Sequence, residues 1–494
     1  MKYISTRNKN VRVSAAEAIA QGLSRDGGLF VPEVIPALAE GAIEALCGMN
    51  YAERAVYIMK TFLEDFSVSE LADFASRAYG PRGFDSPAVA PVRGLDGKTH
   101  FLELWHGPTC AFKDMALQML PYLLTASMKK TGEGKDVCIL VATSGDTGKA
   151  ALEGFRDVDR TKIMVFYPEN GVSDVQKLQM TSQEGSNVSV CAVRGNFDDA
   201  QSGVKMIFSD VALRAELAEK GWFLSSANSI NWGRLLPQIV YYISAYCDLI
   251  NSGSIKCGDE IDFCVPTGNF GDILAGYYAK KMGLPVGKLI CASNRNDVLT
   301  EFFTTGVYDR RREFYETISP SMDILISSNL ERLLFDLSGD SGLVASFMSK
   351  LTADGRYEIG EKMLREAQRY FTAESCSDAE TKQVIADTFR ENGYLIDTHT
   401  AVAYGALKKY REKSGTDRIT VVVSTASPFK FTDSVLDALG EGSVLTGPEL
   451  IDRLSEVTGV PAPRPLAELK NKMPRFSESL DKSELTDAVR RFLG

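Results

Sequence analysis

Short apolar segments separated by amphipathic stretches recur along the chain from residue 98 onward. Strands that are apolar on both faces are typical of parallel sheets covered by helices. The pattern therefore predicts an α/β fold with parallel sheets. The predicted strands are THFLELW (99–105), VCILVAT (137–143), KIMVFYP (162–168), NVSVCAV (187–193), IDFCVPT (261–267), LICAS (289–293) and RITVVVST (418–425).

The regions flanking these strands predict the domain organisation. Before residue 95 the pattern is mostly helical and ends in the Pro/Gly-rich YGPRGFDSPAVAPVRGLDG, which is typical of a linker. We expect an N-terminal accessory domain over residues 1–95 and the main α/β domain over 96–445. Residues 300–395 are charged and predict a helical insertion, and residues 446–494 predict a C-terminal helical segment.

Two strand-to-helix turns, ATSGDTGKA and PTGNFGDIL, carry glycine where the first backbone amides of a helix face the carboxyl end of a strand. Such turns bind anions in α/β sheets. Neither turn matches the fingerprint of an ATPase or of a dinucleotide-binding enzyme. Glycines that only permit tight turns are the alternative. A third turn, RGNFDDAQ, has Asp198 and Asp199 in its first helical turn and predicts helix capping instead.

Lys113 raises a chemical question, because a helix from Phe112 onward would place it on the same apolar face as Ala116, Leu117 and Leu120. A lysine in such a position is often a surface residue whose apolar stem is buried. A lysine kept out of water instead has a lowered pKa, and its neutral amine can condense with an aldehyde. Next to an anion-binding turn, the aldehyde that fits both features is pyridoxal phosphate.

Composition excludes several other kinds of protein. The 494 residues include 55 Lys and Arg against 65 Asp and Glu, a net charge of −10, which argues against nucleic-acid binding. The 9 cysteines form no C-x-x-C pair, and 3 histidines are too few for a His-rich metal site, so we expect no metal. No segment has the apolar core of a signal peptide or a membrane span. We expect a cytoplasmic protein without a membrane partner.

Beyond these features, the chain resembles the threonine synthase family of fold-type-II pyridoxal-phosphate enzymes, which are related to the tryptophan synthase β subunit. The shared blocks extend over nearly the whole chain. They are EAIAQGLSRDGGLFVP (17–32), HGPTCAFKD (106–114), ATSGDTG (142–148), SSANSINWGRLLPQ (225–238), VPTGNFGD (265–272), SPSMDILISSNLERLLF (319–335), DTHTAVAYGAL (397–407) and STASPFKF (424–431).

The resemblance implies two α/β subdomains with the cofactor between them, and a role for each matching residue. Lys113 holds the cofactor covalently and then removes the Cα proton, and Thr425 gives a hydroxyl to the pyridine nitrogen. A glycine-rich turn surrounds the cofactor phosphate, three residues bind the substrate carboxylate, and two are assigned to the substrate phosphate. The turn around the cofactor phosphate comprises Gly268, Asn269, Phe270, Gly271 and Asp272. The substrate carboxylate is assigned to Thr143, Ser144 and Thr147, and the substrate phosphate to Asn231 and Arg234.

The implied reaction converts O-phospho-L-homoserine and water to L-threonine and phosphate by γ-elimination and β-hydration, the last step of threonine biosynthesis, in a monomer or homodimer. The alternatives are a phospholyase or dehydratase that releases 2-oxobutyrate and a non-catalytic α/β protein. The chain departs from the family in having Ser427 where a histidine usually follows Thr425 and Ala426. For His106 and His399 we also consider a purely structural role in turns.

Overall fold

The computed structural model describes residues 1–170, 172–442 and 444–494. Strands and helices alternate over most of the chain, so the predicted α/β class is confirmed. The strands are β1 (Tyr3–Ser5), β2 (Asn8–Val13), β3 (Phe30–Pro32), β4 (Val92–Gly94), β5 (Thr99–Glu103), β6 (Asp136–Ala142), β7 (Thr161–Pro168), β8 (Val188–Val193), β9 (Trp222–Ser225), β10 (Ile261–Pro266), β11 (Val286–Ser293), β12 (Val307–Asp309), β13 (Arg356–Glu358), β14 (Phe371–Ser375), β15 (Thr420–Ser424) and β16 (Ser479–Leu480).

Helices cover the sheets and form most of the two ends of the chain. They are α1 (Ala15–Gln21), α2 (Ala42–Cys47), α3 (Tyr51–Phe62), α4 (Val68–Ala78), α5 (Asp114–Leu117), α6 (Leu120–Lys130), α7 (Asp146–Phe155), α8 (Asp174–Thr181), α9 (Phe197–Ser209), α10 (Val211–Glu219), α11 (Trp232–Asn251), α12 (Gly271–Lys281), α13 (Val298–Thr305), α14 (Leu330–Ser338), α15 (Ser341–Ala353), α16 (Gly360–Tyr370), α17 (Asp378–Asn392), α18 (Thr398–Ser414), α19 (Thr432–Ala438), α20 (Glu449–Thr458), α21 (Arg464–Ala467) and α22 (Leu485–Leu493).

Two sheets form the frame of the molecule. One has the order β14-β11-β10-β15-β5-β4 and is parallel except for the antiparallel pairing of β4 with β5. The other has the order β16-β8-β7-β6-β9 and is parallel throughout. All seven strands predicted from the apolar segments are present in these two sheets. The carboxyl ends of parallel strands lie at one edge of a sheet, which is where ligands bind in this class of fold.

The N-terminal region shares its core with the main domain. Trp232, at the buried start of α11, packs against Tyr3 and Phe62, with ring centroids 5.4 Å and 5.6 Å away. The predicted helical character is confirmed by α1–α4, and β2, β1 and β3 add a three-stranded antiparallel sheet. The short strand β4 precedes the predicted boundary at residue 95 but pairs with β5 of the main sheet.

Two local predictions differ from the structure. The helix expected from Phe112 onward is divided into α5 and α6, because Pro121 has no N–H to donate to the Leu117 carbonyl. Residues 300–395 are not purely helical: β12 and β13 pair with each other, and β14 joins the main sheet as an edge strand. With the sequence FTAES and one fully buried residue, β14 lacks the apolar character of the central strands.

The helix capping predicted at the RGNFDDAQ turn can be compared with the observed cap. Asn196 caps α9, and Asp199 returns a hydrogen bond to the Asn196 backbone, so the capping predicted for the RGNFDD turn is confirmed. At α8 the Ser173 hydroxyl accepts from the Gln176 amide at 3.3 Å. The side-chain oxygen of Gln176 accepts from the same hydroxyl at 3.2 Å, and its amide nitrogen donates to Asp146 Oδ1 at 2.7 Å.

Candidate active site

A single cavity of about 1940 Å³ lies between the two sheets, and all the predicted site residues line it. Lys113, the two glycine turns, Asn231, Arg234 and Thr425 therefore come together from five separate parts of the chain. The structure fixes their positions, whereas the role of each residue stays a prediction.

Lys113 is the N-cap of α5, and its position is set by the turn that precedes it. The buried Asp114 carboxylate accepts hydrogen bonds from the Thr109 amide at 2.8 Å and from the Thr109 hydroxyl at 2.7 Å. The Phe112 amide donates to the Thr425 carbonyl at 2.8 Å, which ties this segment to the end of β15. The HGPTCAFKD block thus holds Lys113 beside Thr425.

The Lys113 side chain is 10% exposed, and Nζ faces several polar groups without a close carboxylate partner. It lies 3.4 Å from Ser321 Oγ and 3.8 Å from Asp146 Oδ2. Burial lowers the pKa of Lys113, Asp146 opposes this effect, and Arg234 and Lys430 lower the pKa further. A smaller opposing effect comes from Asp272. The net lowering favours the neutral amine that the sequence predicted.

The turn at residues 268–272 presents free backbone amides. The Gly268 carbonyl accepts from Ser327 Oγ at 2.8 Å, and the Asn269 carbonyl accepts from the Asn329 amide and side chain at 3.1 Å and 3.0 Å. No described residue accepts a hydrogen bond from the amides of Gly268, Asn269 or Phe270. With the first amides of α12, they can bind an anion.

Asp272 is the one charged residue of this turn. Its Oδ1 atom accepts from the Tyr241 and Tyr242 hydroxyls at 2.6 Å and 2.7 Å. Its Oδ2 atom is buried and has no hydrogen-bond partner among the described residues. Burial raises the pKa of Asp272 to about 6, although the two tyrosines and Lys113 act in the opposite direction.

The turn at residues 143–148 is closed by its own threonine. Thr143 Oγ1 accepts from the Gly145 amide at 3.0 Å and from the Gly148 amide at 2.9 Å. Gly145 has a φ of 139°, a conformation that side-chain-bearing residues rarely adopt. Ser144 and Thr147 both line the cavity. Thr143 therefore occupies two amides of this turn, and Ser144 and Thr147 add the hydroxyl groups of their side chains.

Arg234 is a buried cation in the first turn of α11. One guanidinium nitrogen, Nη1, donates to the Ala227 carbonyl at 2.5 Å, and Nε has no partner among the described residues. Burial lowers the pKa of Arg234 to about 10. A cation at a helix N-terminus opposes the helix dipole, so this position favours the binding of an anion. Asn231 caps the same helix and donates to the Ile19 carbonyl at 3.0 Å.

His399, Ser321 and Lys430 were not assigned roles from the sequence. His399 Nδ1 lies 2.7 Å from Asp397 Oδ2, and its Nε2 accepts from the Ser321 amide at 3.1 Å, so the ring holds Ser321 next to Lys113. Lys430 is completely buried in an ion pair with Asp146. His106 lies between Asp85 and Glu103, and these two carboxylates raise its pKa against the effect of burial.

Comparisons with known proteins decide the family. A profile described as "Pyridoxal-phosphate dependent enzyme" matches residues 86–426, one described as "Threonine synthase N terminus" matches residues 2–79, and one described as "Threonine synthase, C-terminal" matches residues 400–483. The threonine synthase of Pseudomonas aeruginosa is 42% identical over 468 residues, which cover 93% of this chain and 96% of that protein. The chain belongs to the threonine synthase family of pyridoxal-phosphate-dependent enzymes.

Solved structures of this family agree with that membership. The threonine synthase of Brucella melitensis, whose structure is described as bound to pyridoxal phosphate, is 38% identical with a TM-score of 0.88 and covers 100% of this chain and 99% of its own. Threonine synthase from yeast is 34% identical with a TM-score of 0.89, covering 100% of this chain and 98% of its own.

Another relative has a different name. Human threonine synthase-like 1 is 42% identical over 456 residues, which cover 88% of this chain. The chain spans 60% of the length of that protein. Among the described residues of this chain, no helix is both long enough and apolar enough to cross a membrane.

Proposed function

We propose that this chain is a threonine synthase that converts O-phospho-L-homoserine and water to L-threonine and inorganic phosphate. The observation that carries the proposal is the buried Lys113 amine, with its lowered pKa, in one cavity with an open amide turn and an unpaired guanidinium. The similarity to threonine synthases over almost the full length of both chains supports the same reaction.

The residues of the cavity fit pyridoxal phosphate. The free amides of residues 268–270 and the start of α12 suit the phosphate of the cofactor, and Lys113 suits covalent attachment of its aldehyde. Thr425, directly after β15, suits a hydroxyl contact to the pyridine nitrogen. When bound, the cofactor supplies an electron sink that makes the protons next to the substrate nitrogen acidic.

The remaining predicted residues suit the two acidic groups of the substrate. The Ser144 and Thr147 hydroxyls suit the α-carboxylate, and Thr143 supports them by holding the turn closed. The free Nε of Arg234 suits a phosphate group, because guanidinium binds phosphate with directed hydrogen bonds. Asn231 positions Arg234 by capping α11, since both its amide oxygen and its amide nitrogen have partners within the protein.

Lys113 is also the group that suits proton transfer. Its neutral amine suits uptake of the Cα proton and return of that one proton to the substrate after water has added at Cβ. Ser321, 3.4 Å from Nζ and held by His399, keeps the amine directed into the cavity. We further propose that the enzyme acts in the cytoplasm as a monomer or homodimer.

The test measures the products that the cofactor-loaded chain forms from O-phospho-L-homoserine. We expect L-threonine and phosphate in equal amounts, and we expect Lys113→Ala to lower the rate by about 10²–10⁴-fold or more, since it removes both the attachment point and the base. Lys129→Ala, on the exposed end of α6, is the control and retains the wild-type rate.

The alternative is a phospholyase that releases 2-oxobutyrate from the same substrate. The comparisons do not favour this candidate, because the bacterial and yeast relatives and the solved structures are named threonine synthases. If 2-oxobutyrate is the main product, the phospholyase reaction replaces the proposed threonine synthase reaction. A chain that retains no cofactor chromophore and forms neither product would be the non-catalytic α/β protein.

A further inference from the structure

Lys430 is a fully buried lysine whose three ammonium protons all have acceptors. Nζ lies 2.9 Å from Asp146 Oδ1, 2.8 Å from the Thr109 carbonyl and 3.0 Å from Gln179 Oε1. The residue ends the 3₁₀ turn Pro428–Lys430, shortly after Thr425. It therefore connects the end of β15, the turn before Lys113 and helix α8 through one charge.

Asp146 divides its carboxylate between two sides. Oδ1 accepts from Lys430 and from Gln176 Nε2 at 2.7 Å, whereas Oδ2 faces Lys113 Nζ at 3.8 Å, beyond hydrogen-bond distance. The short ion pair of Asp146 is thus with Lys430 and not with Lys113. A buried carboxylate with no other cation would be strongly attracted to Lys113.

The charged groups around Lys113 are few. Asp146 and Asp272 are the acidic groups that act on it, and Lys430 and Arg234 are the basic ones. Ser321 and the Phe112 ring, whose centroid lies 4.8 Å from Nζ, are uncharged. Of the charged groups, Asp146 has its Oδ2 atom 3.8 Å from Nζ, and Lys430 is the group that neutralises Asp146.

We propose that Lys430 is a positioning residue that keeps Asp146 as its own ion-pair partner and so leaves the amine of Lys113 uncharged and available to react. This inference rests on the proposed role of Lys113. It assigns a role to Lys430, the lysine of the STASPFKF block, which the proposed chemistry does not otherwise use. It also predicts opposite effects for the two members of the ion pair.

The experiment measures the pKa of Lys113 in the full-length chain freed of cofactor. Reductive methylation with formaldehyde is followed between about pH 6 and 11, and the labelled fraction of the Lys113 peptide is read by mass spectrometry. Lys430→Met removes a nearby positive charge and should raise the pKa of Lys113 by about one or more. Asp146→Asn removes a negative charge and should lower it.

The double variant Lys430→Met/Asp146→Asn removes both charges, and we expect the pKa of Lys113 to return to within about half a unit of wild type. Lys149→Met is the matched control. Lys149 lies on α7, as Asp146 does, and is paired with Glu153. It is not among the groups with the largest effect on Lys113, so its loss should leave the Lys113 pKa nearly unchanged.

An unchanged or lowered pKa in Lys430→Met, or a shift in the same direction in both single variants, would overturn the inference. If thermal unfolding shows that Lys430→Met is not folded, Asp146→Asn and the double variant decide by the same criteria. A wild-type Lys113 with an ordinary lysine pKa would contradict the proposed function itself. A lowered wild-type pKa that the variants leave unmoved contradicts only the role of Lys430.

Discussion

The two glycine turns begin alike and end differently. Thr143 follows β6 and Thr267 follows β10, and each donates its amide to the neighbouring strand, to Phe166 at 3.0 Å and to Ala292 at 2.9 Å. The hydroxyl of Thr143 then accepts two amides of its own turn, from Gly145 and Gly148. The hydroxyl of Thr267 instead donates back to the Val265 carbonyl at 2.7 Å.

This difference decides what each turn can bind. In the first turn Thr143 occupies the amides of Gly145 and Gly148, and the side chains of Ser144 and Thr147 line the cavity. In the second turn Ser327 and Asn329 hold the carbonyl groups, and the amides stay available. One sequence pattern, strand-Thr-Gly turn-helix, thus produces a closed turn whose threonine occupies two amides and an open turn whose threonine occupies none.

The aspartates after the two turns differ in the same way. Burial by itself raises the pKa of both. For Asp146, Lys430 and Lys113 outweigh burial and hold its pKa well below the usual range. For Asp272, the neutral Tyr241 and Tyr242 do not outweigh burial, and its pKa rises to about 6. The closed turn therefore keeps a permanent negative charge, whereas the open turn can lose its charge near pH 6.

Thr143→Val should break the closed turn and produce the largest effect. The substitution keeps the shape of the side chain but leaves the amides of Gly145 and Gly148 without their acceptor. At about 1–3 kcal/mol for each of the two unsatisfied buried groups, we expect the free energy of unfolding to fall by about 2–6 kcal/mol. Urea denaturation measures this loss, and the KM for the substrate should rise at the same time.

Thr267→Val is the matched control for this comparison. It removes one hydrogen bond, to Val265, and should lower the free energy of unfolding by only about 0.5–1.5 kcal/mol. Equal losses in the two variants would show that the Thr143 hydroxyl does not hold its turn closed.

The sequence was sufficient to predict the frame and the location of the site. Continuous apolar segments identified the buried parallel strands, because these strands need two apolar faces. Glycine turns and the position of Lys113 identified residues that the structure brings to one cavity. The edge strand β14 was missed because an edge strand needs no such pattern, and the break before α6 was missed although Pro121 signals it.

The interior charge network could not be predicted from the sequence. Lys430 contacts Asp146, Thr109 and Gln179, which lie on three other segments. The two threonines could not be distinguished either, since both precede a glycine turn. Their hydrogen bonds depend on Ser327 and Asn329, which are distant in sequence and hold only the second turn open.

Gly268→Ala should damage the open turn and leave the closed one intact. A Cβ at Gly268 would lie 2.7 Å from the Ser321 carbonyl, so the backbone that carries Ser321 must shift. We expect cofactor affinity to fall by about 10–100-fold, or about 1.4–2.8 kcal/mol, because amides that bind the phosphate move with the loop. Fluorescence titration with pyridoxal phosphate measures this change. Gly97→Ala, where the added Cβ meets no atom within 4 Å, is the control and should retain wild-type affinity.

The smallest predicted effect is a pH dependence that belongs to the open turn alone. Because the pKa of Asp272 is raised to about 6, this carboxylate is charged at pH 7.5 and mostly neutral at pH 5. A neutral Asp272 repels an anion less, so sulfate, whose own charge is constant over this range, should bind up to about tenfold more tightly at pH 5.

Calorimetric titration of the cofactor-free chain measures the change, and Asp272→Asn should lose the part of it that has its midpoint near pH 6. Asp146 stays ionised throughout, so Asp146→Asn should keep the slope. If the pH dependence of sulfate binding persists in Asp272→Asn and disappears in Asp146→Asn, the titrating group lies in the closed turn and the comparison is reversed.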